Sequence, residues 1–111
     1  MIHSLEDFKV YGFAMSLGGE TWNLVDGWNS FQKDTIGKQL VRACDSIAAN
    51  LSESLGRYHF KEIKNFTHYS RGSLFKTKTW PVKAYSRELI SEAQFNKFIS
   101  EIEIIGKMIN S

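Results

Sequence analysis

One stretch constrains this chain more than any other: Ser46-Ile47-Ala48-Ala49-Asn50-Leu51-Ser52-Glu53-Ser54-Leu55-Gly56-Arg57. At 3.6 residues per turn, Ile47, Leu51 and Leu55 fall near one line and Ser46, Asn50, Glu53 and Arg57 on a neighbouring one, with Gly56 placed to end the helix. Such a helix has two faces to satisfy. The apolar line demands a core, and its small neighbours (Ala48, Ala49, Ser52) let other helices come close. The polar line reads as a structural network of Ser46, Asn50, Glu53 and Arg57 rather than a ligand site. A buried Glu53 without a partner would cost several kcal/mol, so Arg57, Lys61 or Arg71 is expected to reach it.

The rest of the chain repeats the helical period. Ser4 and Asp7 form a capping-box pattern ahead of Phe8, Tyr11, Met15, Gly18, Trp22 and Val25, the expected core line of a first helix over about 5–30. Phe13, Leu17, Leu24 and Trp28 lie off that line and widen the apolar arc. Gly18-Gly19 signals either a close helix approach or a bend, since each glycine costs about 1 kcal/mol relative to alanine there. A second helix over about 35–55, capped by Asp34 or Thr35, presents Ile36, Leu40, Ala43, Ile47, Asn50, Leu51 and Ser54. Cys44 sits among its small apolar residues with no base at helical spacing, and reads as a small buried hydrophobe.

A third helix over about 60–88 carries Ile63, Phe66, Thr67, Ser70, Leu74 and Thr77 on its core line. The short connection predicts an antiparallel hairpin with Glu53 level with Glu62 and Asp45 level with Arg71. Pro81 removes a backbone donor, so a kink or an early end near Thr79 to Trp80 is expected. Ser91-Glu92-Ala93-Gln94 is a further capping box, and Phe95, Phe98, Ile99, Ile102, Ile105 and Ile109 follow as the cleanest amphipathic pattern, over about 92–110. No run alternates with period two and no repeat is visible. The pattern predicts a single all-α domain, an antiparallel up-down-up-down four-helix bundle spanning 1–111.

Composition narrows the function. At 111 residues with one cysteine, an intrachain disulfide is impossible and a reducing, cytoplasmic setting is expected. Neither a membrane-length apolar run nor a signal-peptide pattern occurs, so no membrane partner is expected. His3, His59 and His68 show neither i,i+4 pairing nor a Glu-x-x-His step, and glycine-rich phosphate loops and nucleophile elbows are absent. The chain reads as a non-enzyme without metal or cofactor.

The net charge of +2 is unevenly spread: residues 57–88 hold eight basic and two acidic groups, residues 1–34 two and five. The basic set is Arg57, Lys61, Lys64, Arg71, Lys76, Lys78, Lys83 and Arg87, interleaved with Tyr58, Tyr69, Phe75, Trp80 and Tyr85. Cations bind phosphates and exposed rings stack on bases, so this segment points to RNA or single-stranded DNA. The alternative is a solvated helix face whose charges pair with the acidic first helix of the same or a neighbouring subunit, in a structural homo-oligomer or protein scaffold. The off-line aromatics Phe13, Trp28, Phe75 and Trp80 point to a surface for self-association.

The chain also resembles a known family. Phe8-Lys9-Val10-Tyr11, Gln39-Leu40-Val41-Arg42-Ala43, Ser46 to Glu53 with Gly56-Arg57, Lys61-Glu62, and Arg71-Gly72-Ser73-Leu74 are similar to the four-helix bundle family that includes the intervening-sequence proteins of large-subunit ribosomal RNA genes and the accessory variability determinant of diversity-generating retroelements. The resemblance runs the length of the chain. Ser54, Lys76 and Pro81 depart from the family's usual pattern. What it implies is a cytoplasmic bacterial bundle forming a ring-shaped homopentamer and, in the accessory-protein branch, partnership with a reverse transcriptase and nucleic acid.

Overall fold

The protein's structure, a computed structural model, describes residues 5–57 and 63–110, with side chains at 9–53, 72 and 74–109. The described residues form four helices. The first, α1, is Leu5–Asp26. The second, α2, is continuous over 30–57: an α-helical start at Ser30–Gln32, a π-helical turn at Lys33–Gly37 and a long α-helical part at Lys38–Arg57. Ile63–Ser86 forms α3, and Glu92–Asn110 forms α4.

Close backbone approaches run α1 to α2, α2 to α3, α3 to α4 and α4 back to α1, so the helices form a four-sided antiparallel bundle. It measures 44 × 22 × 20 Å. Among the described residues there is no strand. Leu17, Leu40, Ile102 and Ile105 are fully buried at its centre, joined by Val25, Ile36, Ile47, Leu51, Leu74 and Phe98. Burying each such side chain contributes about 1.5–3 kcal/mol.

The seam between α1 and α2 explains which face of α1 turns inward. The buried line is Val10, Ala14, Leu17, Gly18, Thr21 and Val25, made mostly of small residues. Met15 and Trp22, expected on the core line, are instead exposed, Trp22 by 61%. Close packing is the reason. A Cβ on Gly18 would lie 2.5 Å from Asp45 Oδ1, and one on Gly37 2.7 Å from Val25 Cγ1 and 3.3 Å from Trp28 Cε3. The seam already holds the edge of the Trp28 ring at Gly37, and small residues line the rest of it. Buried Thr21 remains satisfied because its hydroxyl donates to Leu17 O at 2.7 Å.

Helix boundaries follow from local hydrogen bonding. α1 ends at Asp26, four residues short of the expected Ser30, and Trp28 N donates back to Val25 O at 2.9 Å. Asn29, not Asp34 or Thr35, caps α2: its Oδ1 accepts from Gln32 N at 2.8 Å while Gln32 Oε1 accepts from Asn29 N at 3.1 Å. This reciprocal box starts the helix five or six residues earlier than the periodicity suggests. The π turn then places the Lys38 N–H on Lys33 O, five residues back. Ser4, needed for the capping box expected on α1, lies outside the described residues.

The hairpin of α2 and α3 is shifted from expectation. Thr77 Oγ1 donates to Ala43 O across 3.5 Å, which brings residue 45 level with about residue 75, one turn beyond Arg71. α2 continues through Gly56 to Arg57 instead of ending at Gly56, which moves the turn along the chain. Further on, α3 runs through Pro81 to Ser86 rather than ending near Thr79 to Trp80. Pro81 is fully buried, and its packing offsets the lost hydrogen bond.

The end of α3 is a Schellman motif. Leu89 N donates to Ala84 O at 2.9 Å and Glu88 N to Tyr85 O at 3.0 Å, with Glu88 left-handed at φ 60°. On α4 the expected capping box is present: Ser91 N donates to Gln94 Oε1 at 2.8 Å and Gln94 N to Ser91 Oγ at 3.1 Å. Phe98, Ile102 and Ile105 are buried as expected, with Phe95 and Ile109 packed against them.

Candidate nucleic-acid interface

Half of the basic segment is placed by the structure. Lys76 is exposed on α3 and Arg87 in the turn that follows it, while Lys78 and Lys83 are half-buried. Lys61, Tyr58, His3 and His59 lie outside the described residues, as do the side chains of Arg57, Lys64, His68, Tyr69 and Arg71. Lys76 and Lys83, seven residues apart, share one line of α3 turned away from buried Leu74, Thr77, Pro81 and Ala84, and Arg87, in the turn just past the helix end, continues it.

Lys78 stands apart from that line. Its Nζ pairs with Glu103 Oε2 of α4 at 3.5 Å and lies 5.3 Å from the centre of the Phe75 ring. Lys83 Nζ stands 5.1 Å from the Trp80 ring centre. Both are cation–π contacts at i,i+3 spacing. Phe75 is 74% exposed, whereas Trp80 packs partly against the core. Tyr85 is engaged with α4, stacked on Phe95 with ring centres 4.9 Å apart and its hydroxyl 3.4 Å from Glu92 Oε2.

The polar line on α2 shows less enclosure than the sequence suggests. Ser46 Oγ donates to Ala43 O at 2.7 Å, Asn50 is half-buried and Glu53 is exposed. Glu53 therefore poses no buried-charge problem. Arg57, Lys61 and Arg71, its expected partners, fall outside the described side chains.

Of the four off-line aromatics, Phe13 and Phe75 are exposed, while Trp28 and Trp80 pack partly against the core. The exposed apolar residues also include Met15, Trp22, Phe31 and Val82. Spacing alone missed Met15 and Trp22 because the apolar arc of α1 leaves its inward face open.

A second polar cluster escaped the sequence reading. A cleft of about 130 Å³ opens between α1 and α4, lined by Leu17, Glu20, Leu24, Gln94, Lys97, Phe98 and Glu101. Lys97 Nζ lies 3.3 Å from Glu20 Oε1 and 3.9 Å from Glu101 Oε1. Burial, then the charge of Glu20, holds the Glu101 carboxyl above its usual range, with Lys97 opposing. The i,i+4 step from Lys97 to Glu101 is legible in sequence; the partnership with Glu20 depends on how α1 is turned.

Cys44 is fully buried. Burial pushes its thiol up to about 11, against relief from a hydrogen bond with Thr21. Among the described residues no group of three or more His, Cys, Asp or Glu stands together to hold a metal ion. Nor is any described helix long and apolar enough to cross a membrane.

Comparison with known proteins agrees with this architecture. No curated protein matches the chain. A crystal structure of a protein of unknown function from the S23 ribosomal protein family of Bacteroides thetaiotaomicron superposes with a TM-score of 0.81 at 21% identity, over 94% of each chain. Residues 6–111 match the family described as 23S rRNA-intervening sequence protein. By that match over nearly its whole length, the chain belongs to the 23S rRNA-intervening sequence protein family.

Proposed function

We propose that this protein is a non-catalytic, cytoplasmic bundle that self-associates and binds nucleic acid, RNA or single-stranded DNA, through the outward face of α3. The observation that carries the reading is the line Lys76, Lys83 and Arg87, on the side of α3 away from its buried residues and bordered by Phe75 and Trp80. Cations in a row neutralise successive phosphates and release counterions. Exposed Phe13, Met15 and Trp22 provide apolar surface for self-association. A ring, a homopentamer in this reading, repeats the basic line around its rim and converts weak single contacts into avidity. The family's name makes segments of large-subunit ribosomal RNA the first ligands to test, and a reverse transcriptase is the protein partner to test alongside.

The test is a salt-dependent binding assay with labelled RNA and single-stranded DNA. Reversing all three charges (Lys76→Glu, Lys83→Glu, Arg87→Glu) should abolish binding at moderate salt. Neutralising them to Gln should lower the slope of log K against log salt by about 2. Absence of binding even at low ionic strength would sink this reading and leave the rival: a structural homo-oligomer or protein scaffold. That rival draws on the exposed Met15 and Trp22, and light scattering checks the oligomer in either case.

A further inference from the structure

We infer that the outward face of α3 selects unpaired nucleic acid over duplex, with Phe75 as a stacking platform for a single base. The inference rests on the reading of α3 as a nucleic-acid surface and goes on to name the ligand's form and the residue that chooses it. Phe75 is 74% exposed on a helix whose other described apolar residues are at least partly covered, apart from Val82 and Tyr85. No packing requirement explains a ring left in water at that position.

The geometry around the ring is that of a single-strand track. Lys76, Lys83 and Arg87 form the central line, and at about 100° per residue Phe75 lies on one side of it and Trp80 on the other. The two rings are separated by a rise of about 7.5 Å. Lys83 stands 5.1 Å from the centre of the Trp80 ring, a cation beside that ring for a phosphate, whereas Lys78, 5.3 Å from the centre of the Phe75 ring, is already paired with Glu103, so the phosphate next to a base on Phe75 falls to Lys76. A backbone following the lysine line can therefore lay bases to either side.

Base pairing decides the preference. In a duplex each base already has its faces covered by neighbours about 3.4 Å away, and opening one step costs a few kcal/mol. Unpaired bases offer a free face, and a ring gains about 1–3 kcal/mol from each. Duplex binding to the lysine line draws on phosphate contacts alone.

The experiment is fluorescence anisotropy with the full chain and three probes of one sequence: single-stranded DNA, the corresponding RNA, and blunt duplex DNA. Single strands should bind more tightly than duplex. Phe75→Ala should weaken single-strand binding about 5- to 150-fold, with duplex affinity and salt slope unchanged. Phe75→Trp should retain or improve single-strand binding, which shows that the loss comes from stacking. Equal affinity for duplex and single strand overturns the inference alone, as does a Phe75→Ala chain that binds single strands as tightly as the parent. A Phe75→Ala change in oligomer mass rather than affinity also overturns it, by assigning the ring to a subunit contact. Failure of all three probes to bind overturns the reading of α3 itself.

Discussion

Gly37 sits beneath Val25 so closely that a Cβ on it would stand 2.7 Å from Val25 Cγ1 and 3.0 Å from Gln32 O. One of these neighbours is backbone and the other a buried side chain, so neither can yield cheaply. Gly37→Ala should destabilise the bundle by about 1–3 kcal/mol in urea denaturation. Gly19, by contrast, has nothing within 4 Å of a built Cβ. Gly19→Ala should stabilise by up to about 1 kcal/mol through helix propensity, and the opposite signs of the two substitutions check the packing of the first seam.

Cys44 should resist alkylation until the bundle unfolds, which labelling at pH 8 with and without urea would show. Its thiol is raised from 9.0 to about 11, so the folded state favours the protonated form. That contribution is whole below pH 9 and is lost as pH rises toward 11. Denaturation curves across this window should fall more steeply for the parent chain than for Cys44→Ala, with a difference of about 2–3 kcal/mol at the alkaline end.

Glu101 is also raised, by burial and by Glu20, and its side chain is 23% exposed. Its protonated form favours folding, so its contribution is complete at acid pH and lost as pH rises through the folded value. Glu101→Gln should therefore be the more stable chain at pH 7, by less than about 1 kcal/mol given the exposed Lys97 that partly offsets the charge. Thermal melts of both chains from pH 3 to 8 should show the gain shrinking toward acid.

Glu88 occupies the left-handed position that closes α3, with φ 60°. A side chain there carries a steric cost that glycine escapes. Glu88→Gly should raise stability by about 0.5–1 kcal/mol, measured by chemical denaturation, without altering helix content by circular dichroism.

How far the sequence reached depended on how decisively each helix is amphipathic. α4 was readable to the residue, because Phe98, Ile102 and Ile105 form a narrow stripe behind a capping box whose partners are local. α1 was not, since apolar residues surround it. Its inward face is chosen by the depth of the seam at Gly18 and Gly37, which are far apart in sequence. The Asn29 cap was missed because Asn29 fell within the first helix expected over about 5–30, and only the π turn joins Ser30–Gln32 to the periodic part of α2. The basic line on α3 was legible as composition, but the separation of Lys78 from it required Glu103 on the neighbouring helix. The cluster of Glu20, Lys97 and Glu101 needed the same kind of information, one residue from α1 and two from α4, helices whose register no local pattern supplies.

The π turn at Lys33–Gly37 has a consequence for how this chain tolerates changes in length. Such a turn accommodates one residue more than an α-helix would, so the start of α2 is rotated about 100° relative to its long part. Deleting a single residue there would unwind the surplus and swing the Asn29 cap around the helix axis, redirecting α1, while residues 38–57 kept their places against α3. The elbow of the first hairpin is thus a joint that can take up a change of one residue, and indels there would re-aim one helix instead of dismantling the bundle.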